Sequence, residues 1–185
     1  MDIILASNSK RRYDLMKLMG LDFTVIPSNA DENVPCGISP ADMVMELAKR
    51  KALSVHNTHP NTCVVGSDTI VVHEGKIIGK PKSTADAHKT LRMLSGKTHT
   101  VYTGIAVVCD DKMTVDYDST EVTFCELSDK DIDDYIASGD PMDKAGSYGI
   151  QGPFCVNIEH INGSYFTVIG LPVHKLHRML ADVNG

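Results

Sequence analysis

The spacing of hydrophobic and polar positions changes period several times along the chain, and each change predicts an element. Residues 3–6 are a short apolar run of β type that breaks at Ser7-Asn8-Ser9. Tyr13, Leu15, Met16, Leu18 and Met19 then recur at helical spacing, and Gly20 closes that helix as a C′ residue does. Residues 22–27 alternate like a strand, and residues 28–38 form a polar loop carrying Asp31 and Glu32. Ser39-Pro40-Ala41-Asp42 reads as a helix start, with an N-cap serine, proline at the first helical position and an acid at the third. That helix runs to about residue 56, with Met43, Leu47 and Ala48 inward and Lys49, Arg50 and Lys51 in the half where the helix dipole favours cations.

Further on, residues 62–65 are a buried-type strand, interrupted by Gly66-Ser67-Asp68-Thr69 and resumed at residues 70–72. Glu74-Gly75 turns the chain into residues 76–78, and Ser83 starts a helix that reaches Leu94 before Ser95-Gly96 closes it. Two long strands, residues 98–109 and 113–124, are joined by Asp110-Asp111-Lys112. Ser128 caps a short helix to residue 138, broken by Gly139-Asp140-Pro141. Asn162-Gly163 between residues 154–161 and 165–169 predicts a hairpin, and a helix over residues 172–183 ends the chain. Five or so helices mixed with strands in hairpin and crossover connections predict a mixed sheet and an α/β or α+β class. There is no repeat, low-complexity tract or linker, so residues 1–185 read as one domain.

Composition narrows the functional classes. A chain of 185 residues, 42% hydrophobic, buries roughly 70% of its unfolded surface, which excludes intrinsic disorder. No apolar run approaches the roughly 18 residues of a membrane helix, and the first residues lack the charge order of a signal peptide; the expectation is a cytoplasmic protein without a membrane partner. Cys36, Cys63, Cys109, Cys125 and Cys155 are odd in number and form no C-x-x-C pair, and they read as reduced thiols. The net charge of -6 speaks against nucleic acid as a partner. Its distribution is uneven: residues 110–143 hold 12 acids and 2 bases, or -10, which leaves +4 on the remainder.

Within that positive remainder lies the chemistry. Ser7-Asn8-Ser9-Lys10-Arg11-Arg12 places hydroxyls and three cations at the start of a helix, where cations are unfavourable, and reads either as a phosphate site or as a solvated basic face. Asp68 at the strand break is either a turn former or a carboxylate aimed at a site, and with Glu32 it makes a Mg²⁺ or Mn²⁺ site near a polyphosphate reasonable. Lys51, Lys80 and Lys82 are further cations. Residues 143–152, D-K-A-G-S-Y-G-I-Q-G, suit either a backbone wrapped around a ligand, with Gln151 toward a base edge, or a long connection. His174 and His177 lack a third ligand for zinc, and no Walker A, G-x-G-x-x-G or G-x-S-x-G pattern is present.

Six ordered motifs resemble one family. L-A-S-N-S-K-R-R at 5–12, G-S-D-T-I-V at 66–71, G-K-P at 79–81, L-S-G-K-T-H-T-V-Y-T-G at 94–104, D-K-A-G-S-Y-G-I-Q-G at 143–152, and N-G-S-Y at 162–165 with G-L-P at 170–172 are similar to those of the Maf family of nucleoside triphosphate pyrophosphatases. The resemblance implies an elongated mixed sheet flanked by helices with a central cleft, like that of inosine triphosphate pyrophosphatases. It implies hydrolysis of a nucleoside triphosphate, dTTP or UTP by the form of the 143–152 motif, to the monophosphate and pyrophosphate. By the same resemblance Asp68 is the proton acceptor or a metal holder, and Arg11, Thr69 and Gln151 are specificity positions. Ser7, Arg12, Lys51 and Lys80 surround the phosphates, Glu32 and Asp68 hold Mg²⁺ or Mn²⁺, and the protein is a homodimer. Ser147 stands where alanine is commoner. The alternative is a nucleotide-binding regulatory module that acts in septum formation through a protein partner.

Overall fold

Serines start four of the helices, because each hydroxyl takes up a backbone N–H that the first helical turn leaves unpaired. In the computed structural model, which describes residues 2–35 and 37–184, Ser9, Ser39, Ser83 and Ser128 cap α1 (Lys10–Leu18), α2 (Pro40–His56), α3 (Thr84–Leu94) and α4 (Asp129–Ala137). Two further helices, α5 (Tyr165–Ile169) and α6 (Val173–Asn184), complete the α-helices among the described residues, and short 3-10 turns occupy Asp140–Asp143, Ala145–Ser147 and Pro153–Asn157. The strands are β1 (Ile3–Leu5), β2 (Thr24–Val25), β3 (Cys63–His73), β4 (Lys76–Ile78), β5 (Thr98–Cys109), β6 (Lys112–Phe124) and β7 (Ile158–Asn162). They form one seven-stranded sheet in the order β2-β1-β3-β5-β6-β7, with β4 added to β3. β1 is parallel to β2 and β3, whereas β4 and β7 are antiparallel to their partners, so the sheet is mixed and the class is α/β as the pattern predicts. No helix of the described residues is long and apolar enough to cross a membrane.

The chain divides into two compact units. The first comprises the residues up to Thr69, Thr103–Asp118 and those from Gly170 on; the second comprises Ile70–Tyr102 and Ser119–Ile169. In the first, Ile4, Ala6, Ala48, Ala52, Val55, Val64, Ala106 and Val108 form one core cluster. In the second, an aromatic core gathers Phe124, Tyr135, Tyr148 and Phe154 with Leu91, Leu94, Val122 and Ile132. Ring contacts tie it together, edge-to-face between Phe124 and Tyr148 at 4.7 Å and tilted between Tyr135 and Phe154 at 4.7 Å.

The expected interruption at Gly66-Ser67-Asp68-Thr69 does not occur: β3 runs unbroken through it. Gly66 is there for packing instead. A Cβ on it would lie 2.3 Å from the Ala48 carbonyl oxygen and 2.7 Å from the Ala52 nitrogen, so α2 lies directly against the strand. Gly104 of β5 does the same for the Val44 carbonyl, at 2.1 Å.

The expected hairpin at Asn162-Gly163 is also absent. β7 is followed by α5, because the Ser164 amide bonds the Thr120 hydroxyl at 2.9 Å and the Ser164 carbonyl accepts from the Thr167 amide at 3.1 Å. Gly163, at φ +135°, sits against Thr120. The predicted strand over residues 22–27 shrinks to Thr24–Val25.

The cysteine reading needs correction as well. Cys63 and Cys109, at the outer ends of neighbouring strands β3 and β5, are joined by a disulfide with their Cα atoms 4.2 Å apart. Cys125 and Cys155 are free, and Cys36 lies outside the described residues.

Candidate active site

Successive residues of an unbroken strand alternate between its faces, and β3 uses that alternation. Gly66 and Asp68 meet α2; Ser67 and Thr69 meet other partners. Because Gly66 lets α2 approach so closely, Lys51 on that helix reaches Asp68, with Nζ 2.5 Å from Oδ1. The same ammonium binds Glu32 Oε1 at 2.7 Å, which brings the polar loop's carboxylate to the strand's. The Lys51 and Asp68 side chains are each only 14% exposed, whereas that of Glu32 is 65% exposed. A pair so shielded is held firmly, since losing one partner leaves the other as an uncompensated, largely desolvated charge.

The helix-start cations separate into distinct roles. α1 has no acid in its first turn. Lys10 pairs with Asp14 on the surface, an ordinary i,i+4 contact. Arg12 instead folds back over the start of its own helix. Its Nε donates to the Gly170 carbonyl at 2.8 Å, Nη1 to Ser7 Oγ at 3.2 Å, and Nη2 to Thr69 Oγ1 at 3.1 Å. This three-pronged fixation uses the planar fork that only arginine has. Burial pulls the Arg12 guanidinium below its ordinary pKa; the Asp68 carboxylate opposes that, Arg11 adds to it, and Glu32 opposes it again. The guanidinium and the two carboxylates therefore share one local field.

Three groups in this cluster carry roles that the sequence pattern leaves unassigned. Ser67, fully buried, places its hydroxyl 2.9 Å from the Gly104 carbonyl and 3.0 Å from that of Gly170. Thr103, also fully buried, pairs its hydroxyl with that of Thr69 at 3.0 Å. Gly170 has φ +113°, and a Cβ there would sit 3.0 Å from the Thr69 hydroxyl and 3.6 Å from Arg12 Nε, so glycine keeps the clamp open. Their only signal in the sequence is membership of the 66–71, 94–104 and 170–172 motifs.

Thus the first unit brings Ser7, Arg12, Glu32, Lys51, Asp68 and Thr69 together, with half-exposed Arg11 beside Arg12 in the chain. Lys80 and Gln151 belong to the second unit. Lys80 is exposed just after β4, and Gln151 is exposed in a turn closed by the Gly152 amide on the Gly149 carbonyl at 3.2 Å. The glycines of residues 143–152 have internal reasons: a Cβ on Gly146 would press on Val71, one on Gly149 on Lys144, and one on Gly152 on Asp140. Tyr148 of the same stretch is buried, its hydroxyl 2.8 Å from His99 Nε2. No group of three or more His, Cys, Asp or Glu side chains suited to a metal occurs among the described residues.

With this geometry in hand, comparison with known proteins is specific. A dTTP/UTP pyrophosphatase of Bacillus cereus is 49% identical over 182 residues, covering 98% of this chain and 95% of its own. One of Bacillus anthracis is 48% identical with the same coverage. The solved structure of a HAM1 protein from Coxiella burnetii shares the fold, with a TM-score of 0.53 and 15% identity over 98% of this chain and 99% of that one. The family model described as Maf-like protein matches residues 2–183, and the chain belongs to that family.

Proposed function

We propose that this protein is a nucleoside triphosphate pyrophosphatase that takes dTTP and UTP to the nucleoside monophosphate and pyrophosphate. The observation that carries the reading is the Glu32–Lys51–Asp68 chain sharing a field with the clamped Arg12 guanidinium, in a chain 49% identical to a dTTP/UTP pyrophosphatase. Hydrolysis at the α-phosphorus needs an acceptor for the water proton, positive charge on the phosphate oxygens, and in-line placement.

In this reading Asp68 accepts the proton as the water oxygen bonds to the α-phosphorus. The bond from that phosphorus to the oxygen bridging to the β-phosphate breaks, and pyrophosphate leaves with the electron pair. Lys51 holds the Asp68 carboxylate in one orientation through the 2.5 Å contact. Arg12, already oriented by three hydrogen bonds, meets the phosphates without further ordering of its side chain, and Arg11 adds charge beside it. Lys80 on the phosphates, and Thr69 and Gln151 on specificity, complete the assignment.

A divalent cation fits this donor set. Glu32 and Asp68 offer two hard carboxylates held on one ammonium, and Mg²⁺ is commonly bound by one or two carboxylates plus substrate phosphates. Bound there, Mg²⁺ or Mn²⁺ would supply neutralisation of phosphate charge.

The test is a panel of dTTP, UTP, ATP and GTP with Mg²⁺ or Mn²⁺, scored for pyrophosphate against orthophosphate. Pyrophosphate from dTTP and UTP is the expected product. Asp68→Asn should lower kcat by about 10²- to 10⁴-fold; because it also leaves Lys51 without its shielded partner, its melting temperature falls, and turnover is measured well below that temperature. Orthophosphate as the product, or near-normal turnover by Asp68→Asn, overturns the assignment.

A further inference from the structure

The turn that presents Gln151 rests at both ends on one cluster of side chains within the second unit. Gly149 begins it and Gly152 ends it, closed by the bond between them. The Gly149 amide donates to the Tyr135 hydroxyl at 3.0 Å, and that hydroxyl donates in turn to Asp140 Oδ2 at 2.6 Å. Lys144 locks the acid from the other side, with Nζ 2.5 Å from the Asp140 carbonyl, 3.0 Å from Asp140 Oδ1 and 2.6 Å from Asp143 Oδ1. The backbone lies close on this cluster: a Cβ on Gly149 would be 2.7 Å from Lys144 Cε, and one on Gly152 would be 3.0 Å from Asp140 Oδ2. Tyr135 is 5% exposed and its ring packs on Phe154, so the platform is part of the core rather than of the surface.

We propose that Tyr135, Asp140 and Lys144 are positioning residues for substrate discrimination: they hold the 149–152 turn in one geometry and thereby fix where the Gln151 amide is offered. The inference rests on the reading of Gln151 as the residue that recognises the base. A side chain on a turn of four residues has no secondary structure of its own to orient it. Discrimination by hydrogen bonding needs the partner held in place before the substrate arrives. Buried beside Asp140, the Tyr135 phenol is pushed above its ordinary pKa, first by desolvation and then by the hydrogen bond to the carboxylate, so it remains a neutral donor.

The test compares Tyr135→Phe, Gln151→Ala and the double variant, with kcat and KM measured for dTTP and for ATP. Tyr135→Phe keeps the ring against Phe154 and removes only the hydroxyl. The expected result is a KM for dTTP raised about 10-fold, kcat within about 2-fold, and a preference for dTTP over ATP narrowed by about 10-fold, the loss of one well-placed hydrogen bond. In the Gln151→Ala background the same substitution should change discrimination no further, because there is no amide left to position. A Tyr135→Phe protein that loses kcat or thermal stability while keeping its discrimination overturns the proposal, and so does an additive loss in the double variant. If Gln151→Ala itself leaves discrimination at the wild-type value, the reading of Gln151 fails and takes the proposal with it. If Gln151→Ala abolishes discrimination while Tyr135→Phe is silent, only the proposal fails. Asp140→Asn, which removes the charge and keeps the shape, should reproduce the Tyr135→Phe pattern.

Discussion

Replacing Gly66 by alanine tests whether the approach of α2 to β3 sets the distance between Lys51 and Asp68. The added Cβ would stand 2.3 Å from the Ala48 oxygen and 2.7 Å from the Ala52 nitrogen, both backbone atoms that no rotamer change can move. To restore ordinary contact at 3.4 Å the helix must retreat by roughly 1 Å, and interiors packed at crystal density resist such a shift. Overpacking of this kind costs about 1–3 kcal/mol, and a clash with two backbone atoms belongs at the top of that range. For a domain of this size that is a fall of about 6–12 °C in melting temperature. Lys51 lies on α2 between Ala48 and Ala52, so the retreat carries its ammonium away from Asp68, and a misplacement of about 1 Å costs on the order of 10²-fold in kcat/KM. The assay is thermal melting together with turnover of dTTP. Gly104→Ala meets the Val44 oxygen at 2.1 Å, two turns of α2 away from Lys51, and is expected to match the stability loss with a smaller loss of activity. Gly79→Ala, with nothing within 4 Å, serves as the neutral control, within about 0.5 kcal/mol of wild type. A Gly66→Ala protein that melts within about 2 °C of wild type refutes the packing argument, and full activity in a destabilised one refutes its link to Lys51.

Three further expectations follow from buried polar groups and from the disulfide. Burial, with a smaller push from His73, brings His99 down to about 3, so the unfolded chain binds a proton that the native state refuses between about pH 6.5 and 3. Stability is therefore complete above pH 6.5 and is lost at up to about 1.4 kcal/mol per pH unit as the pH falls through that window; urea midpoints at pH 7.5 and 5.5 should differ more in wild type than in His99→Gln, and parallel profiles would sink the idea. Ser147 is wholly buried at φ +59° with a hydroxyl that lacks a hydrogen-bond partner among the described residues, so Ser147→Ala should raise stability by about 1 kcal/mol, and a drop in melting temperature would contradict this. The Cys63–Cys109 bond spans 46 residues, and closing such a loop is worth about 4 kcal/mol in the chain-entropy model; reductant should lower the melting temperature of wild type and leave Cys63→Ser/Cys109→Ser unchanged.

Elements whose ends are chemically marked were readable from the chain. Ser39, Ser83 and Ser128 place their helices because an N-cap is a local interaction within four residues, and β5 falls on residues 98–109 as its apolar pattern predicts. The failures share a cause, which is a partner remote in sequence. Gly66 looks like a strand breaker until α2, packed from residues 48 and 52, supplies the reason for it. Asn162-Gly163 carries a hairpin signal that Thr120, some 40 residues earlier, overrides by capping the segment after it. The Cys63–Cys109 bond is invisible in the spacing of five cysteines and follows only from β3 and β5 being neighbours. For the site, the crowding of cations in the first turn of α1 was a legible anomaly. That Lys51 would join Glu32 to Asp68, and that Arg12 would be clamped by Ser7, Thr69 and Gly170, needed the fold.

The Ser67 hydroxyl has a use beyond support. Sealed from water and shared between the Gly104 and Gly170 carbonyls, its proton is expected to exchange slowly, and a hydroxyl resonance that persists in the proton nuclear magnetic resonance spectrum is the measurement that checks this. The Gly170 oxygen that receives it also receives Arg12 Nε at 2.8 Å. Any ligand that draws the guanidinium toward itself lightens the load on that oxygen and shifts the serine signal. The shared Gly170 oxygen thus couples the Ser67 hydroxyl to the Arg12 guanidinium, and a serine signal that stays fixed during a nucleotide titration would refute that coupling.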